Sequence, residues 1–167
     1  MKTITQVLNS KQVEQRINRI AYQIYEDNFN EAELYIAGIA RSGFVFAQRL
    51  QQALNTICPL KTILIEVTLD KENPVDHTLN PAVSKTELNN KVVIVADDVL
   101  NSGKTLIYSL RPFLDADIKK IRTALLVNRD HKRYPVEADY VGITVSTTLQ
   151  EHITVDLTPG QESVILQ

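Results

Sequence analysis

The chain has 167 residues, with 18 Lys+Arg against 20 Asp+Glu and a formal net charge of −2. That length fits one domain with a sizeable core, and 44% hydrophobic with 23% charged residues excludes a disordered chain. One cysteine (Cys58) excludes an internal disulfide, the polar opening Met1–Gln6 lacks a signal-peptide core, and no apolar run approaches the ~20 residues that span a bilayer. The expectation is a cytoplasmic protein with no membrane partner. The near-neutral charge balance gives no general footprint for nucleic acid.

Asn9-Ser10 opens a predicted helix in which Val13, Ile17, Ile20 and Ile24 form one apolar stripe at the helical period. Lys11, Glu14, Arg16 and Arg19 are left for solvent, and a polar break begins at Asp27-Asn28. Leu34 to Ile39 reads as a short buried strand, Arg41-Ser42-Gly43 as a turn, and Phe44 to Leu54 as a helix carrying Ala47, Leu50 and Leu54. A second strand runs from about Lys61 to Leu69, rich in Ile, Val and Thr. Asp70 to Asn90 has Pro74, Pro81 and little periodicity; a cover over a site and a plain surface hairpin are both open readings. Val92 to Ala96 is the most clearly buried strand and ends on Asp97-Asp98. Then come a turn at Asn101-Ser102-Gly103, a helix towards Leu114 with Leu106, Leu110 and Leu114, and strands at Ile121–Val127 and Tyr140–Val145. Repeated strand–helix–strand alternation predicts an α/β domain with a mostly parallel sheet flanked by helices on both faces. No repeat, low-complexity segment or linker divides residues 1–167.

In an open α/β sheet, ligands bind beyond the carboxyl ends of the strands. Two carboxylates delivered there by an apolar strand are costly to bury unless they are hydrogen-bonded or near a metal. The small polar turn Asn101–Thr105 runs straight into a helix, so its amides and the Ser and Thr hydroxyls can surround a phosphate. The helix dipole contributes only ~0.3–2 kcal/mol, so converging donors must carry most of the affinity. Carboxylates for sugar hydroxyls beside a phosphate cradle describe a site for a ribose 5-phosphate. Gly103-Lys104-Thr105 looks like the end of a nucleotide P-loop, but that motif needs glycine where Asp98 stands. No Gly-x-Gly-x-x-Gly dinucleotide fingerprint occurs either.

The run Val92-Val93-Ile94-Val95-Ala96-Asp97-Asp98-Val99-Leu100-Asn101-Ser102-Gly103-Lys104-Thr105 resembles the phosphoribosyl-pyrophosphate signature of the type I phosphoribosyltransferases. Ser102 stands where threonine is usual and keeps the hydroxyl. The resemblance implies Asp97 and Asp98 as catalytic acids on the ribose hydroxyls, with the run from Asp97 to Thr105, including Val99, Leu100, Asn101, Ser102, Gly103 and Lys104, binding ribose and 5′-phosphate. Gly38 to Gly43 resembles the family's pyrophosphate loop, often built on a non-proline cis peptide, with Ala40, Arg41 and Ser42 as the contacts. Asn128–Gly142 and the helix around Arg19-Ile20-Ala21 resemble the bifunctional pyrimidine-operon regulators that also act as uracil phosphoribosyltransferases. There Tyr140 and Val141 match the segment bordering the base, although Tyr140 serves equally as a core aromatic, and His131 reads as a solvated loop residue.

The implied fold is a single domain with a small hood from the N- or C-terminal segments and a flexible loop. The implied reaction transfers a phosphoribosyl group from phosphoribosyl pyrophosphate to a nucleobase, aided by Mg²⁺ held indirectly through substrate oxygens near Asp97 and Asp98. The Asp70–Asn90 segment is then the cover, with Lys71 or Lys85 reaching phosphates, and a homodimer or larger homo-oligomer is implied. Asn101 stands where 6-oxopurine enzymes commonly carry an aspartate proton acceptor, which favours uracil over hypoxanthine or guanine. Two alternatives stand beside this reading, a 6-oxopurine phosphoribosyltransferase and an RNA-binding regulator with residual activity; the basic candidates for RNA are Arg129, Lys132 and Arg133, and Asn18 and Tyr22 replace the Thr and His usual on the attenuators' RNA surface.

Overall fold

The computed structural model describes residues 4–70 and 73–167. Strand β1 (Thr5–Leu8) leads into helix α1 (Ser10–Asn28), which starts on a capping box: the Asn9 side chain accepts from the Gln12 amide, and Gln12 returns to the Asn9 amide. The stripe Val13, Ile17, Ile20 and Ile24 is buried as its period predicts. Arg19 is not left wholly to solvent, since its guanidinium donates to the carbonyls of Val141 (3.0 Å) and Gly142 (2.7 Å). There follow β2 (Glu33–Ile39), α2 (Ser42–Ile57), β3 (Lys61–Leu69), β4 (His77–Asn80), α3 (Lys85–Leu88), β5 (Val92–Leu100) and α4 (Lys104–Leu114). The chain closes with β6 (Lys120–Asn128), β7 (Tyr140–Thr144), β8 (Ile153–Asp156) and β9 (Ser163–Leu166).

The 6-stranded sheet has the order β4-β3-β2-β5-β6-β7 and is parallel except for the antiparallel β3–β4 pair. Its strands are near-continuous apolar runs because both faces are covered. On one face α1 and α2 bury Ile20, Leu50 and Leu54 against Ile36, Ile94 and Leu126. On the other, Leu88 of α3 and Leu106 and Phe113 of α4 pack on Tyr35, Val93 and Val95. Each fully buried aliphatic side chain contributes roughly 1.5–3 kcal/mol. From β2 the chain crosses through α2 to β3; from β5 it crosses through α4 to β6, on the opposite side and the opposite face. The carboxyl ends of the neighbouring strands β2 and β5 therefore bound the switch point where such sheets bind ligands.

A 3-stranded antiparallel sheet, β1-β9-β8, forms from the two ends of the described chain and provides the small hood. Glu162 ties it down: its carboxylate accepts from Ser10 Oγ, Arg49 Nη1 and the Gly160 amide.

The hairpin reading of the segment after β3 holds, since β4 pairs antiparallel with β3 and extends the sheet, and the short helix α3 follows, capped by Ser84 and Glu87. Other expectations change. Lys71 lies outside the described residues, and Lys85 pairs with Asp115 at 3.5 Å. Strand β5 continues past the acids, because pairing with β6 persists to Leu100↔Asn128. Leu114 is 68% exposed: it ends α4 beyond the sheet, and Leu106 and Phe113 carry the packing.

Candidate active site

Helices α1 and α3 start with capping boxes, whereas α2 and α4 have no side-chain cap. A helix start leaves four amides without intrahelical partners, and a substrate anion can satisfy them. A cavity of about 760 Å³ opens where these two uncapped starts meet, with Ala40, Arg41 and Ser42 on one side and Lys104 and Thr105 on the other. Thr68 and Leu69 at the end of β3, with Asp70 and Pro74 of the β3–β4 connection, close a third wall. The Ala40–Arg41 peptide is cis, as the resemblance implies. A second cavity of about 740 Å³ between α1 and α2 is lined by Asn18 and Tyr22, the two positions weighed for an RNA surface, and by none of the predicted transferase residues.

The acid pair sits on β5, and neither Asp97 nor Asp98 lines this crevice. The alternation of faces breaks across it: Val95 and Leu100 serve one core, while Ala96 and Val99 serve the other. A regular strand would keep even spacings on each face, so the two acids are not simply on opposite sides. Asp97 lies against the first turn of α2, where a Cβ on Gly43 would stand 2.5 Å from Asp97 Oδ1 and 3.0 Å from Asp97 Cα. Only glycine lets the helix begin this close to the strand. Asp97 Oδ1 accepts from the Asp98 amide at 3.0 Å. Burial first, and the adjacent Asp98 carboxylate second, push the Asp97 carboxyl well above its ordinary value. Both acids are half-buried, and the Asp97 carboxyl carries this bias towards its neutral form.

The turn after β5 is held in shape from behind. Ser102 O accepts from the Arg133 and Tyr134 amides at 2.8 and 3.1 Å, and Ser102 Oγ accepts from the Lys104 amide at 3.3 Å. Gly103 adopts φ +84°, and a Cβ there would lie 2.5 Å from Val136 Cγ2, so both backbone and space require glycine. Asn101, Lys104 and Thr105 are exposed, and Ser102 is half-buried.

Leu100, Asn128 and Thr144 form one row across the carboxyl ends of β5, β6 and β7. Tyr140 is four residues earlier, paired with Ala124. Its hydroxyl donates to Asp27 Oδ2 at 2.5 Å, and burial raises the phenol far above its usual value. The carbonyl of neighbouring Val141 accepts from Arg19. Of the two residues read as base contacts, neither is brought to the carboxyl-end crevice: Tyr140 is a core aromatic pinned to α1.

Sequence reasoning placed Arg129 among the basic loop residues, but its side chain turns inward. It donates from Nε to Thr147 Oγ1 (2.6 Å) and from Nη2 to the carbonyls of Thr148 (3.0 Å) and Glu151 (2.7 Å), while Nη1 lies 3.5 Å from Asn101 Oδ1. An arginine in a charged stretch carries no sequence signal for this; only the folded partners reveal it. Gly43 likewise reads as a turn glycine until Asp97 is placed against it.

Among the described residues, no group of three or more His, Cys, Asp or Glu side chains is arranged to hold a metal ion. Two carboxylates beside a phosphate cradle do suit Mg²⁺, which commonly binds through one or two carboxylates together with substrate phosphates.

An acid pair on a central strand, a turn into one uncapped helix and the start of a second uncapped helix thus meet at the carboxyl ends of β2 and β5. The chain belongs to the phosphoribosyl transferase domain family, which matches residues 3–158, and it is accordingly a phosphoribosyltransferase. It is 34% identical over 171 residues to the bifunctional protein PyrR of Clostridioides difficile, covering 97% of each chain. It is 33% identical over 157 residues to the bifunctional protein PyrR of Macrococcus caseolyticus, covering 90% of each. Among solved structures, the hypoxanthine phosphoribosyltransferase of Trypanosoma cruzi shares the fold with a TM-score of 0.80 at 15% identity, over 97% of this chain and 95% of that one. A hypoxanthine-guanine phosphoribosyltransferase of Bacillus anthracis gives a TM-score of 0.76 at 19% identity, over 99% and 100%.

Proposed function

We propose that this protein transfers the 5-phosphoribosyl group of phosphoribosyl pyrophosphate to uracil, releasing pyrophosphate. The observation that carries this reading is the pair of uncapped helix starts, α2 and α4, facing one cavity, with Asp97 packed against Gly43 in the first turn of α2. Strand order sets the order of substrate parts. The diphosphate belongs at Ala40, Arg41 and Ser42 after β2, the ribose at Asp97 and Asp98 on β5, and the 5′-phosphate on the amides and hydroxyls of Asn101–Thr105. The base then faces the ends of β6 and β7.

Asp97 and Asp98 take up the ribose hydroxyls. Arg41 and the first amides of α2 receive the charge of the departing pyrophosphate, stabilising a transition state in which positive charge grows at C1 of the sugar. No protein nucleophile is needed; the chain holds base and sugar in line and excludes water from the cationic carbon. Asp97 and Asp98 would hold Mg²⁺ indirectly, through substrate oxygens, and the ion would supply further charge neutralisation for the leaving group. The β3–β4 connection forms part of the cavity wall and is the cover over the phosphates.

Uracil is favoured by Asn101, whose amide cannot accept a proton from a purine nitrogen at neutral pH. The bifunctional PyrR relatives support a pyrimidine reading as well. RNA binding draws no support from Arg129, which is committed inward. The test is pyrophosphate release from phosphoribosyl pyrophosphate and Mg²⁺ with uracil, hypoxanthine or guanine offered in competition. Release dependent on uracil is expected; no release with any of the three overturns the proposal. Asp98→Asn should lower turnover by orders of magnitude with an unchanged circular dichroism spectrum.

A further inference from the structure

We propose that Arg129 is a positioning residue that fixes the base-side wall of the crevice, residues 147–151, against the carboxyl ends of β5 and β6. The proposal rests on the transferase reading above and specifies how the base end of that site is held.

Strand β7 ends at Thr144, and the Val145 amide still bonds to Asn128 O at 2.8 Å, so the segment beyond it leaves the sheet at the carboxyl ends of β6 and β7, the side that the proposed function gives to the base. From there to β8 the backbone makes no further pairing with the sheet. Within the segment, Thr148 N donates to Glu151 Oε2 at 2.6 Å and closes a small turn, but that contact only ties the segment to itself. Arg129 supplies the external anchor. Its backbone amide bonds Leu100 O at 3.0 Å, placing the residue at the point where β5 gives way to the phosphate turn. From that fixed point one guanidinium spreads to Thr147 Oγ1 and to the carbonyls of Thr148 and Glu151. A planar fork with several donors can satisfy three diverging acceptors at once; an ammonium cannot hold them in that geometry.

The acceptors at these three short contacts are a hydroxyl and two carbonyls. The guanidinium charge therefore stays close to the crevice without a carboxylate bonded to it among the described residues. The fork touches the phosphate turn only through its longest contact, Nη1 to Asn101 Oδ1 at 3.5 Å, while Ser102 O is held separately by the Arg133 and Tyr134 amides. Loss of Arg129 should therefore loosen the base side far more than the sugar-phosphate side. That asymmetry separates positioning from a general packing role.

The experiment compares wild type, Arg129→Ala, Arg129→Lys and Thr147→Val. Steady-state kinetics with uracil and phosphoribosyl pyrophosphate are measured with direct calorimetric binding of phosphoribosyl pyrophosphate. Displacement of a positioning group by about 1 Å can cost ~100-fold. Arg129→Ala is thus expected to raise the uracil KM by roughly that factor, with binding of phosphoribosyl pyrophosphate unchanged. Arg129→Lys should restore little, Thr147→Val should shift the uracil KM in the same direction by a smaller factor, and added guanidinium ion should recover part of the Arg129→Ala loss. If Arg129→Ala fails to fold, the Lys and Val variants carry the test. The proposal is overturned if both substrates weaken together in these variants, or if neither does. A wild-type protein inactive with every base would instead indict the transferase reading.

Discussion

Replacing Glu162 with glutamine removes the charge at the point where α1, α2 and the small sheet meet. Its Oε2 accepts from Ser10 Oγ at 2.5 Å and from the Gly160 amide at 3.0 Å, and its Oε1 pairs with Arg49 Nη1 at 3.0 Å. The Glu162 side chain is 8% exposed and that of Arg49 22%, so solvent screens the cluster little. The Ser10 hydroxyl foremost, with Glu162's own backbone amide and Arg49 adding to it, lowers the carboxyl from 4.5 to about 2. At ~1.4 kcal/mol for each tenfold change in proton affinity, the native state gains on the order of 3 kcal/mol from the ionised form at neutral pH. For a chain of this size, losing that amount lowers Tm by roughly 6–12 °C. Because the carboxyl is depressed, this stabilisation is present above pH 4.5 and disappears as pH falls through about 2. Thermal unfolding of wild type and Glu162→Gln, followed by circular dichroism, should show a constant gap near neutrality that narrows over that acid window. Equal melting temperatures at neutral pH, or a gap that persists below about pH 2, would refute the reasoning.

Gly43→Ala places a methyl 2.5 Å from Asp97 Oδ1 and 3.0 Å from Asp97 Cα, which is backbone and cannot swing aside. Overpacking of this kind costs about 1–3 kcal/mol, and turnover should fall with the displaced acid; wild-type activity would show that α2 and the strand are not in contact as described. Asp97→Asn removes a carboxyl that burial holds towards its neutral form. A group raised in the folded state loses its stabilising contribution as pH rises through its folded value, so the unliganded variant should outlast wild type in melts on the alkaline side while losing catalysis. Melting curves with the same pH slope would count against it. Tyr140→Phe deletes the bond to Asp27 and should cost ~1.5–3 kcal/mol in denaturant unfolding, with the uracil KM unmoved; a raised KM would return Tyr140 to the base site.

The layered fold was legible because its signals are local. The four-three-four spacing of Val13, Ile17, Ile20 and Ile24 and the unbroken run Val92–Ala96 each announce burial without reference to the rest of the chain. The acid pair and the Asn101–Thr105 turn were legible for the same reason, since strand, carboxylates, turn and helix are contiguous. The small sheet was not located, because β1, β8 and β9 have four residues each and Thr5 finds its partner at Leu166. Tyr140 was open between a base contact and a core aromatic because sequence gives a strand's composition but not its register against β6, and the register favours the core. Arg129 and Gly43 gain their roles only from residues that folding brings to them.

The pairing of β1 with β9 also bears on the order in which this protein can be completed. A ribosome adds roughly 5–20 residues per second, so the first strand emerges on the order of ten seconds before the one it needs. During that interval the parallel sheet can assemble through its short crossovers, but Leu8 has no Val164 to pair with. A product cut short by even its last few residues would carry most of the substrate crevice on an unclosed shell, a clear mark for degradation in place of slow inactivation.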